Sequence, residues 1–263
     1  MAVNSWIEQL ARFGYAVKGV VYLIVGLLAM PVALGIGTNA AGTSDALQTI
    51  VTQPFGKFLL TVVAVGLVSY AVWRFIQAFI DPEHQGKDAK RVVQRLSYAL
   101  SGASYTVLAL TAIGIVFGLG NNNSSWRQDW TAQLLAQPFG QWLVGIIGAL
   151  VLGVGVSYVY RAYTAKFRER FQLLQMSIAQ IKWATRIGRF GIAARGIAFG
   201  VIGLLLIQAA VQSDPDEAKG LGGALQTLAQ EPVGRWILGV VAVGLVVYAI
   251  HMLVLARYRR IIT

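Results

Sequence analysis

Long uncharged stretches dominate the chain. Residues 19–44, 96–125, 196–213 and 236–256 contain no Asp, Glu, Lys or Arg. Each is close to or beyond the ~20 residues that carry a helix across a ~30 Å hydrocarbon core. Two further stretches follow the same pattern: residues 54–80, with Lys57 and Arg74 near their ends, and residues 138–160. Six transmembrane helices are the economical reading. The first stretch is too long for a signal peptide and shows no clear small-residue cleavage site, so it is expected to be retained.

One polar interval has a helical period of its own. Across residues 164–188, Phe167, Phe171, Leu174, Ile178 and Ile181 recur at helical spacing among Lys166, Arg168, Arg170, Lys182 and Arg186. The segment is too polar to cross. It predicts an amphipathic helix on the inner membrane surface, with a cytoplasmic helix capping the bundle as the alternative.

The spans are not independent of one another. Arg12-Phe13-Gly14-Tyr15 continues to Lys18-Gly19, Arg95-Leu96-Ser97-Tyr98 to Ser101-Gly102, and Arg189-Phe190-Gly191-Ile192 to Arg195-Gly196. A second signature follows each: Gln53-Pro54-Phe55-Gly56, Gln137-Pro138-Phe139-Gly140 and Glu231-Pro232-Val233-Gly234. From Arg to Pro the separations are 42, 43 and 43 residues. Self-similarity at fixed period is the mark of repeat architecture. Each repeat reads as an entering helix, an outer loop and a returning helix. The outer loop carries a short helical pattern, as in Ala46-Leu47-Gln48, Leu134-Leu135 and Ala224-Leu225-Gln226, which Asp45 and Asp129 are placed to cap. The proline suits the first turn of the returning helix. The second copy departs from the others: Gly56 to Tyr70 and Gly234 to Tyr248 are fourteen residues, whereas Gly140 to Tyr158 is eighteen, about one extra turn.

The expected organisation is therefore residues 1–90 as repeat 1, 91–163 as repeat 2, 164–188 as the connecting amphipathic helix and 189–263 as repeat 3. The fold class is an all-α polytopic membrane helical bundle, with three hairpins about a pseudo-threefold axis normal to the membrane.

Composition agrees with burial in lipid. Charged residues are 13% and hydrophobic residues 56%, where a soluble domain is about one quarter charged. Of 22 Lys and Arg, 18 fall on the side of the termini and even-numbered connections, while the 11 acids divide 5 and 6. Only the basic residues are asymmetric, as the positive-inside rule requires. Both termini are thus expected on the cytoplasmic side, which carries +13 of the net +11 against −2 outside. Trp126, Trp130, Trp142 and Trp236 fall at the outer boundary, and Trp6, Trp73 and Trp183 at the inner, as interfacial anchors.

The paired signatures resemble a bacterial membrane family known as domain of unknown function 1206. Phe190-Gly191-Ile192-Ala193-Ala194-Arg195-Gly196 and Tyr70-Ala71-Val72-Trp73-Arg74 are typical of it, and the likeness covers essentially the whole chain. The resemblance implies a bacterial membrane protein of three repeats and no particular activity. Ser97 and Ser101 depart from Gly14 and Lys18 of the first repeat.

Candidate chemistry is sparse. Gly19 and Gly26, Gly102 and Ala109, and Gly196 and Gly203 stand seven apart on the entering helices, with Gly200 between the last two. They form a packing seam where another backbone approaches; a ligand or lipid tail in the notch is the alternative. Lys18 and Arg195 are equivalent and lie about 9 Å beyond Arg12 and Arg189 at 1.5 Å per residue, within snorkelling reach of the inner headgroups. The alternative is an inward-facing anion site shared with Arg74 and Arg161. Lys18, Arg74, Arg161, Arg168, Arg170, Lys182, Arg186 and Arg195 together are the candidate contacts for anionic lipid or an acidic partner.

No cofactor or metal is expected. Cysteine is absent. His84, beside Asp81 and Glu83, and His251 are poorly placed to face each other across a haem, and His251 is equivalent to Trp73, which favours packing. Ser101-Gly102-Ala103-Ser104 lacks an activating base for nucleophilic catalysis. All eleven carboxylates fall in loops or termini, which disfavours coupled cation transport. The leading expectation is a non-enzymatic interaction or assembly protein of the bacterial cytoplasmic membrane. Its basic inner face would meet anionic headgroups and a possible membrane-protein partner, and no nucleic acid. A small pore or carrier for an anionic or neutral solute is the alternative.

Overall fold

The sequence resolves into helices whose ends follow the signatures. A computed structural model describes residues 5–36, 42–79, 89–119, 133, 137, 139–165, 167–168, 171, 176–212, 221–230 and 234–259. The elements are α1 (Ser5–Ala33), α2 (Thr43–Val51), α3 (Gly56–Phe79), α4 (Ala89–Val116), α5 (Gly140–Thr164), α6 (Ile178–Gln212), α7 (Leu221–Gln230) and α8 (Gly234–Tyr258). Six of them, all but α2 and α7, are long and apolar enough to cross a membrane. The protein is an all-helical, multi-pass bundle.

The six long helices form a ring. α1 packs on α3, α3 on α4, α5 on α6, α6 on α8, and α8 returns to α1. Each returning helix therefore lies against the entering helix of the next repeat, the third closing on the first. One edge differs. Among the described residues, α4 and α5 do not pack along one another as the hairpin pairs α1–α3 and α6–α8 do. α5 consequently depends on α6, and only 17% of its apolar window is buried inside the protein, against 50% for α1.

The short helices lie together at one end of the bundle. α2 packs on α1, α3 and α4, and α7 on α6 and α8; the two also touch each other, with a Cβ on Gly42 falling 2.8 Å from the amide nitrogen of Gly222. Gly42, not Asp45, is the N-cap of α2. Asp45 acts from three residues inside the helix, where its carboxylate accepts the Gly42 N–H at 2.7 Å, a position that also favours negative charge. The corresponding helix of the second repeat lies mostly outside the described residues, as does Asp129. Pro54 stands two residues ahead of α3, in a turn where Phe55 has φ 60°, and not in the helix's first turn. Gly56 opens the helix because a Cβ there would lie 2.3 Å from the carbonyl oxygen of Val51.

The opposite end brings the start of α1 to the end of α8. Arg12 donates to the carbonyl oxygen of Ala256 at 2.9 Å and also to that of Arg257, so a cation completes the last turn of α8, where carbonyls lack helical partners. Here the structure corrects one expectation: no continuous amphipathic helix spans residues 164–188. α5 stops at Thr164, with Ala165 in the left-handed conformation at φ 50°, and α6 starts at Ile178. The described apolar residues between the two helices face the bundle. Phe167, Phe171 and Met176 are buried, and the two phenylalanine rings lie 5.2 and 5.9 Å from the His251 ring. Leu174 lies outside the described residues. Trp73 is also corrected, being fully buried and not an interfacial anchor. Trp6, Trp142, Trp183 and Trp236 are exposed, while Trp126 and Trp130 lie outside the described residues.

Candidate functional site

The repeats place equivalent residues around the centre of the ring. Six residues after the signature arginine come Lys18, Ser101 and Arg195; four residues further come Tyr22, Tyr105 and Phe199. The returning helices add Tyr70, Tyr158 and Tyr248. One turn of helix separates the two rows on each entering helix, so they share a face.

At the centre is Lys18. Its ammonium donates to the Tyr70 hydroxyl at 2.8 Å and lies 4.5 to 5.9 Å from the ring centroids of Tyr70, Tyr105, Tyr248 and Tyr22. Arg195 repeats the arrangement. Its Nη1 donates to the Tyr248 hydroxyl, and its guanidinium carbon lies 5.0 to 5.2 Å from the rings of Tyr158, Tyr248, Phe199 and Tyr22. Arg74 donates from Nε to Tyr70 at 2.8 Å and from Nη1 to the side-chain oxygen of Gln77 at 3.0 Å. Arg259, just beyond α8, donates to the Tyr15 hydroxyl and lies 5.6 Å from the Trp73 ring.

The snorkelling expected of Lys18 and Arg195 is overturned, for they are only 1% and 6% exposed. Aromatic partners retain them. A cation over an aromatic face gains ~2 kcal/mol or more when desolvated, and several faces surround each one. Together these faces offset much of the several kcal/mol that burying each ion costs. No carboxylate among the described residues supplies the remainder. The acids among the described residues are Glu8, which pairs with Arg12 at 2.6 Å, and Asp45, which caps α2. Arg195 Nε is buried with no hydrogen-bond partner among the described residues. The core is thus a concentrated positive charge, lined by hydroxyls that both donate and accept.

The other candidate residues are dispersed. Arg74 joins the cluster, whereas Arg161 is exposed on α5. Arg168, Lys182 and Arg186 are exposed at the terminal end, with Arg186 stacked 5.8 Å from the Trp183 ring; Arg170 lies outside the described residues. The small residues lie at interhelical approaches of different closeness. A Cβ on Gly203 would meet the Leu152 backbone at 2.6 Å, on Gly196 the Gly155 carbonyl at 2.9 Å, and on Gly26 the Ala242 carbonyl at 2.9 Å. Gly19 has the Ala249 carbonyl at 3.1 Å and Gly102 the Phe75 ring at 3.0 Å, whereas Gly200 has nothing nearer than 4.0 Å. Ala109 is buried. His251 is buried beneath Phe167 and Phe171, and His84, Asp81 and Glu83 lie outside the described residues. Among the described residues no group of three His, Asp or Glu is placed to hold a metal. Sequence reasoning missed the tyrosines, although their recurrence at Tyr22 and Tyr105, and at Tyr70 and Tyr248, was a readable signal.

Comparison with known proteins finds the threefold repetition. The family model described as Domain of Unknown Function (DUF1206) matches three times in tandem, at residues 13–81, 96–165 and 190–259. The chain is 37% identical over 256 residues to Uncharacterized protein YxxB of Bacillus subtilis (strain 168), covering 97% of this chain and 92% of that one. No solved structure matches. With three copies over nearly its whole length, the chain belongs to the DUF1206 family.

Proposed function

We propose that this protein is a carrier for an anion, which it binds at the centre of the six-helix ring. The observation that carries the reading is the burial of Lys18 and Arg195, with Arg74 beside them, and no acid among the described residues to neutralise them. A guanidinium stays protonated in any protein environment, so at least two fixed positive charges stand in the core. Charge inside a membrane protein marks a substrate or ion pathway by default. Filling of the axis by tyrosine rings favours a carrier over an open pore. The reading involves no catalytic step. It places the protein in the bacterial cytoplasmic membrane with both termini inside, supported by the basic asymmetry and the Bacillus subtilis relative.

The test is anion binding and flux in reconstituted vesicles. Wild type is expected to bind and move an anion that Arg195→Gln no longer recognises. Identical flux in Arg195→Gln, Lys18→Met and empty vesicles overturns the carrier. The assembly reading is retained as second because Arg168, Lys182 and Arg186 are exposed together at one end, suited to anionic headgroups or an acidic partner.

A further inference from the structure

The edge of the ring that does not pack leads to the cationic core. α4 and α5 are the two helices of the second repeat, and they alone among the three hairpin pairs do not pack along one another in the described residues. Tyr105 of α4 lies over Lys18 at 4.8 Å, and Tyr158 of α5 over Arg195 at 5.0 Å. The two residues flank the interval, and the cations stand directly behind them. Ser101 is the counterpart of Lys18 and Arg195 on α4. It is half-buried where they are buried. The second repeat thus replaces a cation with a short hydroxyl.

Resting on the anion reading, the geometry points to a ligand that is a long-chain carboxylate, entering sideways from the bilayer between α4 and α5. Charge complementarity selects the head. A carboxylate accepts two parallel hydrogen bonds from a guanidinium, and Arg195 has a buried Nε still without a partner among the described residues. Depth selects the class of amphiphile. Lys18 is ten residues inside the span that begins at Glu8, about 15 Å along the helix, a depth at which a bilayer aligned with that span has hydrocarbon and not phosphate. The acyl chain would lie against the apolar outer faces of α4 and α5, where Leu100, Val107, Leu110, Ile146 and Leu150 are exposed. A ligand that arrives through the bilayer needs no aqueous path along an axis filled with tyrosines.

The test uses the full chain in zwitterionic vesicles with a photoactivatable C12 carboxylate, followed by peptide mapping. Labelling is expected on α4 and α5, competed by dodecanoate but not by dodecanol or acetate. It should fall at least tenfold in Arg195→Gln and in Ser101→Phe, which fills the interval without touching a cation; Arg195→Lys should retain most of it. Circular dichroism and monodisperse elution establish that each variant is folded. Labelling spread evenly round the bundle, equal competition by dodecanol, or cross-linking of two copies through α4 and α5 overturns the proposal. Binding of acetate or nitrate without labelling sinks the lateral ligand and leaves the anion site standing. Loss of every anion, carboxylate probe included, sinks both.

Discussion

The Lys18 ammonium stands 2.8 Å from the hydroxyl of Tyr70, fifty-two residues further along the chain. The same relation recurs between Arg195 and Tyr248, fifty-three residues apart. In both repeats a cation on the entering helix meets a tyrosine on the returning helix, so the hairpin is fastened at its centre by a polar pair. The second repeat has Ser101 at the cation's position, and among the described residues its two helices do not pack along one another. Loss of the cation and loss of the hairpin contact occur together.

Tyr70→Phe should be destabilising out of proportion to one oxygen atom. That hydroxyl accepts from both Lys18 and Arg74 at 2.8 Å, and hydrogen bonds to charged groups contribute ~1.5–3 kcal/mol each. Denaturant or thermal unfolding in detergent should register a loss of that order. Unchanged stability would mean that neither cation depends on the tyrosine.

Lys18→Met should behave oppositely. Replacing a buried ion by an apolar side chain of similar volume is often neutral or stabilising, by ~1–4 kcal/mol, and here it also relieves repulsion from Arg195. The expected variant is at least as stable as wild type and impaired in anion binding. A large loss of stability would show that Lys18 serves the fold and not a ligand.

The glycine approaches can be ranked by substitution to leucine. Gly203 and Gly196 face backbone atoms at 2.6 and 2.9 Å, Gly102 faces a phenylalanine side chain that can turn aside, and Gly153 has open space. Overpacking costs typically ~1–3 kcal/mol, so melting temperature should fall most for Gly203→Leu and Gly196→Leu, less for Gly102→Leu and least for Gly153→Leu. Equal tolerance at all four would remove the seam from the account of stability.

Membrane orientation is testable because cysteine is absent. Single cysteines at Ala40 and Asp216 should react with an impermeant maleimide added outside, and those at Glu83 and Gln175 should not. The reversed pattern would invert the topology. The hydrogen bond from Arg12 to the Ala256 carbonyl already brings the start of α1 and the end of α8 to one end of the bundle.

Neutralising Arg168, Arg170, Lys182 and Arg186 together examines the basic end. Each cation near an anionic surface contributes ~1 kcal/mol, screened by salt. The fourfold glutamine variant should lose salt-sensitive copurifying anionic lipid while staying folded. Retention of every companion would discard the assembly reading and leave the core cluster as the functional feature.

Hydropathy and repetition together determined the spans, their number and the three repeats, because a bilayer leaves a chain few ways to satisfy its backbone and each repeat carries the same signatures. The short helices before Pro54 and Pro232 were legible for the same reason. Residues 164–188 were not: a helical period of apolar residues shows which side chains seek burial, but not whether they find it in lipid or against His251 and the bundle end. Nor could sequence place Lys18 and Arg195. Side-chain length permits both snorkelling outward and burial inward, and the choice turned on the rings of Tyr22, Tyr70, Tyr105 and Tyr248, contributed by four different helices. The separation of α4 from α5 was foreshadowed by Ser101 and by the extra turn before Tyr158. Only the tertiary arrangement decided it, since whether two helices pack along one another depends on how every other helix in the bundle is placed.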